Sequence, residues 1–234
     1  MKIALIGYGA MGKLIRSLAE DKGHIFAAVV DEADAGASAS QLAEKLGGSD
    51  VAIDFTIAAA VRRNVEAAMA GGVPLVEGTT GWNAERDEIE KLVRGANGAF
   101  VFGANFSIGV NLFYRVADFA SEMLSKFSEY EAFIEEQHHS RKKDAPSGTA
   151  LKLKDVLSRH IDTDIGVSAT RAGNIPGTHR VGFDGPFDQI LLEHTARSRE
   201  GFAAGALMAA EWIVGKKGFY EFADIIDEIV DRKK

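Results

Sequence analysis

The feature that most constrains the fold is an alternation that fills the first hundred residues. Short apolar runs at 2–6, 25–30, 51–55, 73–76 and 99–102 are separated by stretches with helical spacing. The first such stretch, 11–19, puts Met11, Leu14, Ile15 and Leu18 on one face; 58–70 and 83–94 follow the same logic. Strands that read as continuous apolar runs are buried on both faces, and helices between them supply the cover. Residues 1–106 are therefore expected to form a doubly wound parallel sheet. The first strand also runs directly into Gly7-Tyr8-Gly9-Ala10-Met11-Gly12, a G-x-G-x-x-G turn that opens the first helix.

The pattern changes after Asn105. Ser107 is placed to cap a long helix reaching about residue 127, and 129–137 reads as a strand. A helix is expected from Pro146-Ser147 to about residue 160. Strand-like segments at 165–170, 179–183 and 189–195 then follow one another with no helix between them. That succession predicts a mixed or mostly antiparallel sheet in an α+β domain over 107–200. The apolar helix 201–214 and the amphipathic helix 222–230, with Ile225, Ile226 and Ile229 on one side, are expected to return to the first domain, giving it 1–106 and 201–234.

Composition narrows the function classes. With 27 basic and 34 acidic residues, the net charge of −7 is opposite to that of a general nucleic-acid binder. The absence of cysteine excludes disulfides, thiolate metal sites and a cysteine nucleophile. No apolar run approaches the ~18 residues of a membrane helix, so no membrane partner is expected. Met1-Lys2 leads straight into a strand, so no signal peptide is expected and the cytoplasm is the expected location.

In the glycine turn, Gly7 permits the tight bend, Gly9 lets the backbone approach a pyrophosphate, and Gly12 lets the helix pack close to the strand. The helix then offers amide donors and the positive end of its dipole to phosphates. Asp31 closes the second strand nineteen residues after Gly12, where an acid accepts hydrogen bonds from the adenosine ribose and repels a 2′-phosphate. Glu32 and Asp34 add to that repulsion. These acids favour NADH over NADPH, while Lys13 is near enough to help a 2′-phosphate. The loops Gly78-Thr79-Thr80-Gly81 and Gly103-Ala104-Asn105-Phe106-Ser107 follow the fourth and fifth strands. They lie where such sheets bind ligands.

The most informative stretch is His138-His139-Ser140-Arg141-Lys142-Lys143-Asp144-Ala145-Pro146-Ser147-Gly148-Thr149-Ala150. A cationic cluster in an acidic chain points to an anionic ligand. The Pro-Ser helix start supplies a second anion device, because the amides of Gly148 and Thr149 fall in its first turn. Two such devices side by side suggest a dicarboxylate. Histidine and a lysine crowded by cations are both suited to proton transfer near neutrality. The His-His pair with Glu135 and Glu136 matches no common ligand spacing, so no metal is expected.

This stretch resembles the signature of the dihydrodipicolinate reductase family. GYGAMG at Gly7, EGTTG at Glu77, ANFSIGVN at Ala104 and RAGNIPGTH at Arg171 extend the resemblance over most of the chain. It implies a dinucleotide-binding domain, and a substrate domain that also builds a homotetramer through its sheet. It implies hydride transfer from NADH or NADPH to a cyclic dicarboxylate, 4-hydroxy-tetrahydrodipicolinate, in lysine and diaminopimelate biosynthesis. His138 is then the acid/base, His139 a substrate ligand, and Lys142 a proton donor that also binds substrate. Ser147, Gly148 and Thr149 hold a carboxylate. Residues 78–80 and 103–106 join the glycine turn in binding the cofactor. The stretch between the Ser147 helix and Arg171 is shorter than in many members.

Overall fold

The computed structural model describes residues 1–231, with side chains through residue 228. Element order is β1 (Lys2–Ile6), α1 (Ala10–Asp21), β2 (Ile25–Val30), α2 (Ala39–Leu46), β3 (Val51–Asp54), α3 (Ala58–Ala70), β4 (Leu75–Glu77), α4 (Arg86–Gly95) and β5 (Ala99–Phe102). Then follow α5 (Ile108–Leu124), β6 (Glu131–His138), α6 (Gly148–Leu157), β7 (Gly166–Arg171), β8 (Thr178–Asp184) and β9 (Gln189–Thr195). The chain closes with α7 (Glu200–Ile213), β10 (Gly218–Glu221) and α8 (Phe222–Asp231). It divides into two compact units, residues 1–108 with the segment from 199, and residues 109–198.

The first unit is a six-stranded, all-parallel sheet in the order β10-β5-β4-β3-β1-β2. Alternation along β1 sorts its residues between two layers. Ile3 and Leu5 face α1, α7 and α8, with Ile15, Ala19, Leu207, Ile213 and Ile225. Ala4 and Ile6 face α2, α3 and α4, with Leu42, Val61, Val65, Ile89 and Val93. Every residue of β3 and β5 is buried, which is why these strands read as unbroken apolar runs.

Two elements lie outside the sequence expectation. Helix α2 is short and buries Leu42 and Leu46. A capping box starts it, in which the Ser38 hydroxyl accepts from Gln41 N and the Gln41 side chain from Ser38 N. Strand β10 adds the sixth strand beside β5, and Phe219 stacks on Phe100 at 5.1 Å. Strand β4 begins at Leu75, after Pro74, which has no N–H to give to the ladder. Ile225 and Ile226 enter the core as expected, whereas the side chain of Ile229 lies outside the described residues.

The second unit is a four-stranded mixed sheet, β7-β6-β8-β9. β6 and β7 are parallel, with α6 in the connection between them; β6–β8 and β8–β9 are antiparallel. Helices α5 and α6 cover one face through Phe113, Ala117, Leu153 and Leu157, packed on Ile134, Val181 and Phe183. β6 extends through His138 rather than ending at Gln137, so Ile134, Glu136 and His138 share its buried face. Among the described residues, no helix is long and apolar enough to cross a membrane.

Candidate active site

In the first unit the glycine turn has the stereochemistry its sequence demands. Gly7 sits at φ +90°, and a Cβ there would lie 2.4 Å from the Phe55 carbonyl oxygen. A Cβ on Gly12 would lie 2.2 Å from the Gly7 carbonyl oxygen, so α1 approaches the turn as closely as a glycine allows. A Cβ on Gly9 would meet nothing within 4 Å. Gly9 is the N-cap of α1; no side chain caps the helix and its first turn carries no acid. A helix start without a side-chain cap or an acid in its first turn suits an anion, and these residues fit a dinucleotide pyrophosphate. Ala10 is exposed, Met11 packs against the core, and the Tyr8 hydroxyl accepts from Arg16 Nη1 at 3.4 Å.

Asp31 is exposed at the end of β2, and its Oδ1 accepts from Ala33 N at 2.9 Å. Asp34 pairs with Lys45 at 2.6 Å, which together with other bonds holds its carboxyl below the usual range. The sequence has no arginine just after Asp31, but the fold brings one from α3. Arg63 donates to the carbonyls of Ala35 (2.6 Å) and Ala37 (3.3 Å) and to Asn64 Oδ1.

Beneath the loop after β4 lies a buried polar network that the sequence reading missed. Asp54 and Glu77 end neighbouring strands and are fully buried. Asn64 Nδ2 donates to Asp54 Oδ2 at 2.7 Å, Thr79 N donates to Glu77 Oε1 at 2.7 Å, and Thr56 N donates to Thr79 Oγ1 at 2.9 Å. Burial raises both carboxyls. Glu77 goes well above the carboxylate range because the Asp54 charge adds to burial. Of the two, Glu77 is the carboxyl pushed further toward its protonated form.

The cofactor residues expected from this region therefore differ in role. Thr80 is exposed, whereas Thr79 is buried, and its carbonyl also accepts from Trp82 Nε1 at 2.8 Å. Gly78 leaves room for the Phe55 ring, 2.2 Å from where its Cβ would be. Gly103 lies against Phe222, Ala104 is exposed, and Asn105 Oδ1 accepts from Ser107 N at 2.8 Å. The Phe106 side chain belongs to the core, with its ring 4.6 Å from that of Phe222.

In the second unit, cross-strand register assembles the cluster. Glu136 on β6 lies opposite His179 on β8, and His138 lies beside Arg171 on β7. Glu136 is 1% exposed. Its Oε1 accepts from Arg171 Nη2 at 2.6 Å and from Ser147 N at 2.9 Å; its Oε2 is in ion-pair contact with His138 Nδ1. Burial pushes this carboxyl up, but the bonds from Arg171 and Ser147 outweigh it, and it ends below the usual range. Burial pulls His138 below its ordinary value and Lys142 and Arg171 add to that, with Glu136 opposing them. His179, against His138 at 5.0 Å between ring centres, is pushed down to about 4, chiefly by burial.

Ser147 is the N-cap of α6. Its hydroxyl accepts from Ala150 N at 3.2 Å and lies 3.1 Å from His179 Nε2. Gly148 is exposed in the first turn, and Thr149 bonds to the half-buried Tyr114, whose hydroxyl desolvation pushes up to about 12. Lys142 Nζ is held by both oxygens of Asp144, at 2.8 and 2.9 Å, while Lys143 is exposed. His139 is half-buried just past the end of β6.

The reading from sequence picked out His138, Lys142 and Ser147, and missed Glu136 and His179 as site residues. The signal for Glu136 was its position two residues before His138 on one strand, which puts both on one face. Ligating atoms of Glu136, His138 and His179 lie within 4.8 Å of one another, a constellation the sequence spacing did not suggest. The Arg171 guanidinium already supplies the cation that Glu136 faces.

The profile described as dihydrodipicolinate reductase, N-terminus, matches residues 1–106, and the profile for the C-terminus matches residues 109–226. The chain is 34% identical to 4-hydroxy-tetrahydrodipicolinate reductase of Christiangramia forsetii, over 98% of this chain and 99% of the relative. It is 37% identical to the protein of the same name from Archaeoglobus fulgidus, over 97% and 100%. A dipicolinate-bound dihydrodipicolinate reductase from Paenisporosarcina sp. TG-14 shares the fold, with a TM-score of 0.82 at 21% identity, over 96% of this chain and 99% of that one.

Proposed function

The chain belongs to the dihydrodipicolinate reductase family, and from that premise we propose that it reduces 4-hydroxy-tetrahydrodipicolinate to tetrahydrodipicolinate with NADH or NADPH, the 4-hydroxyl leaving as water. The reaction is a step of lysine and diaminopimelate biosynthesis. The observation that carries the reading within the structure is the buried cluster of the second unit. There His138, Arg171 and the capped start of α6 converge on Glu136, with Lys142 close by on Asp144.

The first unit binds the nucleotide. The α1 helix start takes the pyrophosphate, Asp31 takes the adenosine ribose, and the loops 78–80 and 103–106 take the nicotinamide end. Phe106 acts there through its backbone, since its side chain is in the core. The bound nicotinamide supplies the hydride. The chain's residues hold the cyclic dicarboxylate and manage the proton. Ser147, Gly148 and Thr149 hold one carboxylate at the positive end of α6. His139 and Lys142 bind the ring's anionic side. His138 and Lys142 are the groups able to protonate the enamine-like anion left by hydride addition. Asp31, Glu32 and Asp34 favour NADH, and Arg63 is engaged by carbonyls rather than free for a 2′-phosphate.

A cytoplasmic homotetramer completes the reading. It is supported by an apolar stripe on α5, where Leu112, Val116, Phe119 and Met123 are exposed, and by Ile190 and Leu191 on β9.

The test is loss of NADH or NADPH absorbance, with substrate generated in place from pyruvate and aspartate semialdehyde by the preceding synthase. Oxidation that depends on the synthase, faster with NADH, is expected. His138→Ala with Lys142→Ala should lower turnover at least ~100-fold while NADH binding survives. Near-full turnover in the double variant would sink the assigned roles.

A further inference from the structure

We propose that Glu136 is the positioning residue of the acid/base centre. Its buried carboxylate fixes His138 with the proton on Nδ1, so that Nε2 is the nitrogen that exchanges a proton with the ring. The same carboxylate anchors the start of α6. This rests on the reductase reading above.

Three contacts meet on this one side chain. Oε1 accepts from Arg171 Nη2 and from Ser147 N, and Oε2 touches His138 Nδ1. An ionised carboxylate only accepts, so the nitrogen against it carries the hydrogen. Neutral His138 then presents a bare Nε2, and protonated His138 presents Nε2–H. Gly177, at φ +134°, keeps that nitrogen uncovered, because a Cβ there would sit 3.2 Å from Nε2. Hydride addition puts an electron pair on the ring anion. That pair takes the proton from Nε2–H as the N–H bond breaks, leaving neutral imidazole with Nδ1–H still on Glu136.

The charge balance makes Glu136 more than a tether. His138 is faced by Lys142 from the loop after β6, Arg171 from β7, His179 from β8 and Glu136 from its own strand. Both cations press the imidazolium toward losing its proton, and Asp144 is spent on Lys142. Glu136 is the carboxylate in contact with His138 that opposes them. The same carboxylate binds Ser147 N, so the proton donor and the carboxylate-binding helix start move as one piece.

The experiment has two independent readouts. Imidazole ¹⁵N NMR of the wild-type protein, with His138 assigned by its loss in His138→Gln, reads the tautomer without any turnover; Nδ1–H is expected in the neutral form. Kinetics then compare Glu136→Gln with Glu136→Asp. Glu136→Gln should lower kcat about 100-fold with KM for NADH unchanged. The alkaline limb of its kcat–pH profile should move to lower pH, because the opposing charge is gone. Glu136→Asp keeps the charge and should leave that limb in place while kcat still falls. A neutral Nε2–H tautomer in the wild type, or an unshifted limb in a folded Glu136→Gln protein, would overturn the proposal. Absence of turnover in the wild type with the Nδ1–H tautomer present would count against the reductase reading and uphold the Glu136–His138 pairing.

Discussion

His179 gives the structure a measurable acid sensitivity. It is 5% exposed, and its ring is pushed from an ordinary value of 6.5 down to about 4, first by burial and then by the neighbouring His138. A base whose folded pKa is depressed binds fewer protons in the folded state than in the unfolded one. Its cost is therefore absent above the unfolded value and grows as pH falls below it toward the folded value. Integrating from pH ~7 to pH ~5 gives a loss of about 2 kcal/mol, a factor of roughly 20–30 in the folding equilibrium. His179→Gln keeps an amide within reach of Ser147 Oγ and removes the titration.

Both tryptophans, Trp82 and Trp212, lie in the first unit, so far-UV circular dichroism rather than tryptophan fluorescence must follow the second. Urea unfolding of wild type and His179→Gln at one protein concentration should show the variant losing ~2 kcal/mol less across this interval. A remaining slope from the depressed His138 and His194 is expected in both. Identical pH slopes in the two proteins would refute the assignment of a buried neutral His179.

Two further perturbations probe the first unit. Gly9→Ala adds a methyl into open space and should leave the melting temperature within a few degrees while weakening NADH at least ~10-fold. Gly12→Ala drives a Cβ against the Gly7 carbonyl and should also lose about 1–3 kcal/mol of stability. Thermal melts and NADH fluorescence titrations check both, and wild-type affinity in Gly9→Ala would rule out the pyrophosphate position. Glu77 has a raised folded pKa, so its contribution is full at acid pH and lost as pH climbs through that raised value. Glu77→Gln keeps a neutral donor toward Asp54 and should flatten the fall in stability toward alkaline pH; a steeper fall in urea titrations would show that Glu77 is ionised.

How much was legible in the sequence follows from where the forces act. Strands β1 and β5 were readable to the residue because both faces are buried, and burial writes itself as an unbroken apolar run, while the edge strand β2 was readable from its apolar run although only Val30 in it is buried. β10 left no such mark. Its four residues are all half-buried, and its place in the sheet comes from pairing with β5, a partner more than a hundred residues away in the chain. α2 had a local signal in its Ser38–Gln41 capping box, but only Leu42 and Leu46 to show a buried face. In the site, the contiguous stretch 138–149 was visible because its residues are neighbours in sequence. Glu136 meets Arg171 and His179 only through strand register, and one residue of error at the end of β6 removed His138 from the face they share.

The three buried acids Asp54, Glu77 and Glu136 are shifted in opposite directions, the first two up and the third down, and their partners explain why. Asp54 and Glu77 are given an amide and a backbone N–H, Asn64 Nδ2 and Thr79 N, and Asn64 Nδ2 also donates to Thr56 Oγ1. Those donors satisfy lone pairs but do not repay two buried charges, so both carboxyls are raised, Glu77 well above the usual range. Glu136 is as deeply buried, yet it faces the Arg171 guanidinium at 2.6 Å and stays ionised. The distinction matters for what each can do. The Asp54–Glu77 pair ties strands and loops together: Arg63 links the loop after β2 to Asn64, and Asn64 links onward through Asp54 and Glu77 to Thr79. An ionised carboxylate sets the tautomer and basicity of the histidine beside it. Neutralising Arg171 therefore tests both halves of this argument at once. Arg171→Met should raise the Glu136 carboxyl toward the protonated state and weaken its grip on His138, so kcat falls without a matching loss of NADH affinity. Imidazole ¹⁵N shifts of His138 that stay at wild-type values in a folded Arg171→Met protein would show that Glu136 does not depend on that cation.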